Sequence, residues 1–157
     1  MHIQLAGTED SGIVKEITCT TIREIYPQYY PGGAVAFFLE HHSDEAIRSD
    51  IAAACVFLLF DAEQNAVGTV TIRENEICRL FVLPQYHGNG FGTMLLDFAE
   101  AEIAGHAREI CLDASLSAKA MYLKRGYRET AYHTLRTKGN AFLCYDSMAK
   151  QLPHNPA

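Results

Sequence analysis

Residues 76–96 read EICRLFVLPQYHGNGFGTMLL, and the fold turns on how this stretch is parsed. Ile77 to Val82 is β-branched, aromatic and apolar and stops at Pro84, so it reads as a strand. By strict alternation, Glu76, Cys78, Leu80 and Val82 would share one face of it. Gly88, Gly90 and Gly92 then recur at every second position and lead into an apolar helical pattern containing Met94, Leu95, Phe98 and Ala101. Glycines let backbone N–H groups approach a ligand without Cβ obstruction. The helix N-terminus that follows adds unpaired donors and a partial positive charge. Strand, glycine loop and helix together therefore predict an anion site, for a phosphate or pyrophosphate.

The register excludes two phosphate loops of similar outline. A P-loop requires G-x-x-x-x-G-K-[ST], and Gly88 to Thr93 contains no lysine. A dinucleotide fingerprint requires G-x-G-x-x-G, whereas here the third glycine comes one residue early and four residues, Pro84 to His87, precede the first.

Upstream, His2 to Ala6 reads as a strand. Thr8 to Ser11 then caps a helix carrying Ile13, Val14, Ile17, Thr21, Ile22 and Ile25, which Pro27 stops. Tyr26 to Gly33 is a tyrosine- and proline-rich loop, followed by short helical patterns over Ala34 to His41 and after Ser43-Asp44-Glu45. Cys55 to Phe60 and Val67 to Ile72 form a hairpin of strands. Downstream, Gly105 ends the helix after the glycine loop. Glu109 to Leu112 is a strand, Ala118 to Arg125 a short helix stopped by Gly126, and Tyr127 to Arg136 with Ala141 to Met148 a closing hairpin. The order is β-α-α-β-β-β-α-β-α-β-β in one domain over residues 1–152, with a frayed tail at 153–157.

A chain of 157 residues buries about two-thirds of its unfolded surface. Its formal charge of −6, without any basic run, argues against a nucleic-acid or anionic-membrane surface. No apolar run reaches the roughly 18 residues of a membrane span, and no signal-peptide pattern opens the chain. The five scattered cysteines read as small buried hydrophobes in a reducing compartment, which places the protein in the cytoplasm. His41-His42 is half a metal pair that nothing nearby completes, so no metal is predicted.

The central stretch resembles the acyl-CoA-binding motif of the GCN5-related N-acetyltransferases (GNAT), Q/R-x-x-G-x-G/A after a strand ending in an apolar triplet and x-P. Here these are Leu80-Phe81-Val82, Leu83-Pro84 and His87-Gly88-Asn89-Gly90-Phe91-Gly92, with His87 in the place of the Gln or Arg. Ala118 to Tyr127 resembles the family's A-x-x-L-Y-x-K-x-G-F signature, and Ser115 stands where an Asn is usual. The resemblance covers essentially the whole chain. It implies an α/β GNAT-type fold with a mixed central sheet of about seven strands and helices on both faces.

The same resemblance implies acetyl-CoA as co-substrate, held by Leu80, Phe81, Val82, His87, Gly88, Asn89, Gly90, Phe91, Gly92, Thr93, Ser115 and Lys119. Lys124 is a second candidate for the 3′-phosphate. The backbone N–H of Phe81 would take the thioester oxygen. Tyr122 would protonate the departing sulfur, and Glu76, through a bridging water, would act as base. No cysteine lies in the motif loops, which implies direct transfer in a ternary complex. The acceptor is read as the primary amine of a small molecule, walled by Tyr26, Tyr29, Tyr30, His41, Tyr132 and His133. A peptide or protein acceptor, or a catalytically silent acyl-CoA sensor of the same fold, remains an alternative. The assembly is read as a monomer or homodimer.

Overall fold

The computed structural model describes residues 1–153. The rest of the tail read as frayed, 154–157, lies outside the described residues. Seven strands form one sheet: β1 (His2–Leu5), β2 (Val56–Phe60), β3 (Ala66–Arg73), β4 (Glu76–Val82), β5 (Glu109–Ala114), β6 (Arg128–Arg136) and β7 (Phe142–Gln151). Their spatial order is β1-β2-β3-β4-β5-β7-β6. Helices α1 (Ser11–Ile25), α2 (Gly32–His41) and α3 (Asp44–Ala52) precede β2, one more than the order read from the sequence. The helices α4 (Phe91–Ala104) and α5 (Lys119–Lys124) follow β4 and β5.

Two hydrophobic layers sandwich the sheet. On one face Leu95, Leu96, Ala99 and Ile103 of α4 pack on Val70, Ile72, Ile77, Ile110 and Leu112. On the other, Val14, Ile17 and Ile22 of α1 and Ile47 of α3 pack on Leu58, Phe81 and Leu143. The buried residues of α1 recur at helical spacing, and the Ser43 hydroxyl caps α3 by accepting from the Ala46 N–H at 3.2 Å. Gly68 on β3 lets α4 approach closely: a Cβ there would lie 2.9 Å from Leu95 Cδ1 and 3.0 Å from the Phe81 carbonyl oxygen.

A charged group interrupts the second layer. The Arg79 guanidinium is buried and donates to Asp50 Oδ2 at 3.1 Å, Thr71 Oγ1 at 2.8 Å and His42 Nδ1 at 3.3 Å. Arg73 closes on the other oxygen of the Asp50 carboxylate. The pair is satisfied on both sides, as a buried charge requires.

Two irregularities of β4 position the site. All neighbouring strands pair antiparallel except β4 and β5, which are parallel and share only Glu76↔Cys111 and Ile77↔Leu112 before they separate. The second irregularity is a bulge. Ile77 faces Ile72, but the next partner of Thr71 is Arg79, so Cys78 is an extra residue in the strand. The bulge reverses the alternation. Ile77 and Val82 belong to the α4 layer while Phe81 belongs to the other, so Glu76 does not share the face of Leu80 and Val82 as unbroken alternation would place it.

Candidate active site

Where β4 and β5 part, a cleft of about 870 Å³ opens between them. Its walls are the end of β4, the glycine loop, the β5–α5 turn, Tyr122, and residues of α1 and α2 with the tyrosine-rich loop between them.

The donors on β4 follow from the register. The Leu83 N–H bonds to the Val67 carbonyl at 2.9 Å, so Val67↔Leu83 is a hydrogen-bonded pair, and so by alternation is Thr69↔Phe81. Phe81 thus directs its N–H into the β3 ladder, and its side chain is buried against Tyr26 and His42. The expectation that its amide faces the cleft is corrected: the N–H groups of Leu80 and Val82 point toward the missing β5 partner. The strand pattern alone could not fix this, because the bulge sets which amides face which neighbour.

The glycine loop is held open by its own polar groups. Gly88 and Gly90 have φ of 80° and 82°, the left-handed region that favours glycine. Gly92 has no such constraint, and a Cβ there would meet nothing within 4 Å. The room is therefore left on the side of the α4 N-terminus, where a phosphate would be received. Because a carbonyl only accepts, His87 must donate through Nε2 to the Val82 carbonyl at 2.7 Å, pinning the loop to the end of β4. Thr21 Oγ1 lies 3.1 Å from the same oxygen. Asn89 is exposed, its amide donating to the Tyr86 carbonyl at 3.1 Å, and it shapes the loop without lining the cleft.

Tyr122 on α5 is buried, stacks edge-on to Tyr127 at 5.4 Å and lines the cleft. Burial, with Tyr26 nearby, holds its phenol well above the ordinary tyrosine range, so it stays protonated. The β5–α5 turn is fixed by hydroxyls. Ser115 Oγ is 2.8 Å from Ser117 Oγ, and the Tyr30 hydroxyl donates to the Cys144 carbonyl while accepting from the Leu116 N–H.

This combination of separated parallel strands, glycine loop and buried tyrosine agrees with a family match. The acetyltransferase (GNAT) domain family matches residues 25–149. The chain belongs to the GNAT family. Among solved structures, a GCN5-related N-acetyltransferase from Rhodopseudomonas palustris superposes with a TM-score of 0.85 at 24% identity, over 96% of this chain and 95% of that one. The PaiA N-acetyltransferase of Thermoplasma acidophilum, solved with coenzyme A, gives 0.73 at 21% identity over 96% and 98%. A spermidine N-acetyltransferase chimera of Vibrio cholerae SpeG and hSSAT gives 0.63 at 17% identity over 96% of each chain. No curated protein matches the chain in sequence. As a GNAT protein it is an acetyl-CoA-dependent acetyltransferase on a seven-stranded mixed sheet.

Against that GNAT frame the expected residues divide. Leu80, Phe81, Val82, His87, Gly88, Gly90, Phe91, Gly92, Thr93, Ser115, Tyr122 and Glu76 all line the cleft, whereas Asn89 and Lys119 do not. The Lys119 ammonium is bound to Glu129 at 2.7 Å and to the buried Asp146 at 3.0 Å, which leaves it committed to the sheet. Lys124 instead borders a shallow depression with Thr93 and Arg125 beside the glycine loop. Of the expected acceptor walls, Tyr26, Tyr29 and His41 line the cleft. Tyr30 is buried as a brace, Tyr132 is 64% exposed on β6, and His133 sits behind Tyr145 with their rings stacked at 4.6 Å.

Three groups of the site are not among the residues that the sequence assigns to it. His42 lines the cleft and is driven to about 3 by burial and by Arg79, so it is a neutral imidazole. Cys78, the bulge residue, also lines the cleft, and burial together with Glu76 pushes its thiol up to about 11. Asp113 lines it from β5 and accepts from Ser147 Oγ at 2.6 Å, and His133 Nε2 lies 2.8 Å from that same oxygen. Alternation along Glu109, Cys111 and Asp113 was the available signal, missed because the strand was read as ending at Leu112.

Proposed function

We propose that this GNAT protein moves the acetyl group of acetyl-CoA directly to the primary amine of a small molecule, both substrates being bound at once. The observation that carries this reading is the pair of outward N–H groups at Leu80 and Val82, set in the same cleft as the buried, protonated Tyr122. Two fixed donors suit the oxygen of a thioester carbonyl, whose charge grows as the amine adds to the carbon. The Tyr122 hydroxyl suits the sulfur as the C–S bond breaks. The amides around Gly88, Gly90 and Gly92 and the start of α4 suit the pyrophosphate of the substrate. Lys124 replaces Lys119 as the candidate for the 3′-phosphate.

Direct transfer is favoured by Cys78, since a thiol held near 11 is almost wholly protonated at neutral pH and is a poor acetyl acceptor. A small acceptor is favoured by the enclosed aromatic wall of Tyr29, Phe37 and His41 and by a volume within the range of about 300–1,000 Å³ found for small-molecule sites. The spermidine N-acetyltransferase chimera, whose fold this chain shares, is consistent with that class. Free cysteines agree with a reducing compartment, and no described helix is long and apolar enough to cross a membrane, so we place the protein in the cytoplasm. The test is release of the CoA thiol from acetyl-CoA with polyamines, aromatic amines, amino acids and N-terminal peptides. Turnover of a small amine is expected. Turnover of peptides alone would overturn the small-molecule reading, and tight CoA binding with no turnover would return the protein to a sensor role.

A further inference from the structure

Amine acetylation has a proton to dispose of that the residues assigned so far do not handle. Of the three protons on an ammonium group, one stays on the amide and one ends on the CoA sulfur by way of Tyr122. The third must leave the site. Glu76 is poorly placed for it. It lies level with Cys111, one residue behind the last β4–β5 pair, while the open donors begin at Leu80.

We propose that Asp113 takes this proton and that Ser147 and His133 carry it out of the cleft. Asp113 lies two residues beyond Cys111 along β5, about 6.6 Å nearer the donors than Glu76 at strand rise. It is the first β5 residue past the last pair with β4, so no β4 partner fills the space beside it. Its Oδ1 is 2.6 Å from Ser147 Oγ, and Ser147 is its register partner on β7. His133 Nε2 is 2.8 Å from Ser147 Oγ, and the imidazole is steadied by the Tyr145 ring. A hydroxyl between a carboxyl group and an imidazole passes a proton by turning over. With the neutral His133 carrying its proton on Nδ1, Nε2 is free to accept: when Asp113 gains the proton it donates it to Ser147 Oγ as Ser147 turns its own O–H to His133 Nε2 and passes that proton on, leaving an imidazolium on the half-buried outer side of the sheet. No oxidant or further reactant is needed, and the imidazolium releases its proton to water. The groups facing this chain are Glu76 and Cys78 from β4, Glu109 and Cys111 along β5, Tyr145 from β7 and Arg128 of β6, which pairs with Glu109 at 3.8 Å. Two of them, Glu76 and Glu109, are carboxylates, and two, Cys78 and Cys111, are thiols that burial holds protonated.

The proposal rests on the amine reading above and has an arm that does not depend on it. In NMR of the full chain, the ring-nitrogen shifts of His133, which report its tautomer and hydrogen bond, are expected to move in Asp113→Asn and in Ser147→Ala relative to the parent. An unmoved His133 would overturn the relay whatever the acceptor is. In kinetics, spermidine and 2-phenylethylamine serve as polyamine and aromatic-amine probes. Asp113→Asn is expected to lower kcat by about 10²- to 10⁴-fold, and Ser147→Ala and His133→Gln by about 10-fold with loss of the acidic limb of the pH profile. Each deficit is expected to narrow above about pH 9, where the amine arrives increasingly uncharged. A raised KM at unchanged kcat in Asp113→Asn, with Ser147→Ala like the parent, would reduce Asp113 to an ammonium ligand and overturn the relay. A parent inactive on both amines and on the whole panel overturns the amine reading itself, a result distinguishable from an active parent whose variants match it. Should Asp113→Asn fail to fold, Ser147→Ala and His133→Gln carry the same test.

Discussion

The two halves of the sheet are built to different rules. Strands β2, β3 and β4 are covered on both faces, by α4 on one side and α1 and α3 on the other, and even their charged Arg79 is enclosed and paired. Strands β5, β7 and β6 are covered mainly on the α4 and α5 side. Their opposite face carries Asp113, Ser147, His133 and Tyr145, and β6 is exposed along nearly its whole length. The first half is a rigid platform that fixes two backbone donors. The second offers titratable side chains to the cleft that opens where the halves part. The difference teaches that the site takes its precision from buried backbone and its proton chemistry from a face that water can reach.

The largest effect is expected from breaking the buried side. Asp50→Ala leaves the Arg79 guanidinium without its carboxylate inside the second layer, and the expected loss is about 3–5 kcal/mol of folding stability, read by chemical denaturation. A loss below about 1 kcal/mol would mean that water reaches Arg79 and that the halves do not differ as described.

The same network gives a pH dependence whose sign is fixed. His42 is neutral when folded, with its titration depressed from about 6.5 to about 3, so between these values the unfolded chain binds the proton and the folded one does not. Its contribution to stability is complete above about pH 6.5 and lost as the pH falls toward about 3. Denaturation midpoints should fall over this window in the parent and fall less in His42→Gln.

At the glycine loop, Gly90→Asp sets a side chain and a negative charge where the pyrophosphate is proposed to lie. CoA affinity is expected to drop at least about 100-fold, since like charges in a binding site cost several kcal/mol. Loss of the thermal shift with CoA in a folded variant checks it; an undiminished shift would move the phosphate elsewhere.

Tyr122→Phe is expected to lower kcat about 10- to 1,000-fold with CoA affinity nearly unchanged, because the hydroxyl is proposed to act as the sulfur departs. Unaltered kcat with chemistry rate-limiting would return Tyr122 to the core. The smallest effect is expected at the surface. Lys138 and Glu40 meet at 3.2 Å with side chains 84% and 64% exposed, and Lys138→Ala should cost less than about 1 kcal/mol.

The sequence by itself determined the order of the strands, the glycine loop and the family. Each is written in local pattern: an apolar run stopped by Pro84, glycines where φ turns positive, and Tyr122 within a helical signature. Local pattern also misled where a single residue changes parity. Nothing in EICRLFV marks Cys78 as a bulge, yet the bulge removes Glu76 from the face of Leu80, and the register turns the N–H groups of Leu80 and Val82, not that of Phe81, away from β3. Only the tertiary structure decided which charges are already spoken for. Lys119 is claimed by Glu129 and Asp146, Arg79 by Asp50, and Asp113 is joined to His133 through Ser147 across three strands. Spacing along a chain reports what one helix or strand can present. Contacts between residues tens of positions apart depend on strand register, and register is fixed by the packing of the whole sheet.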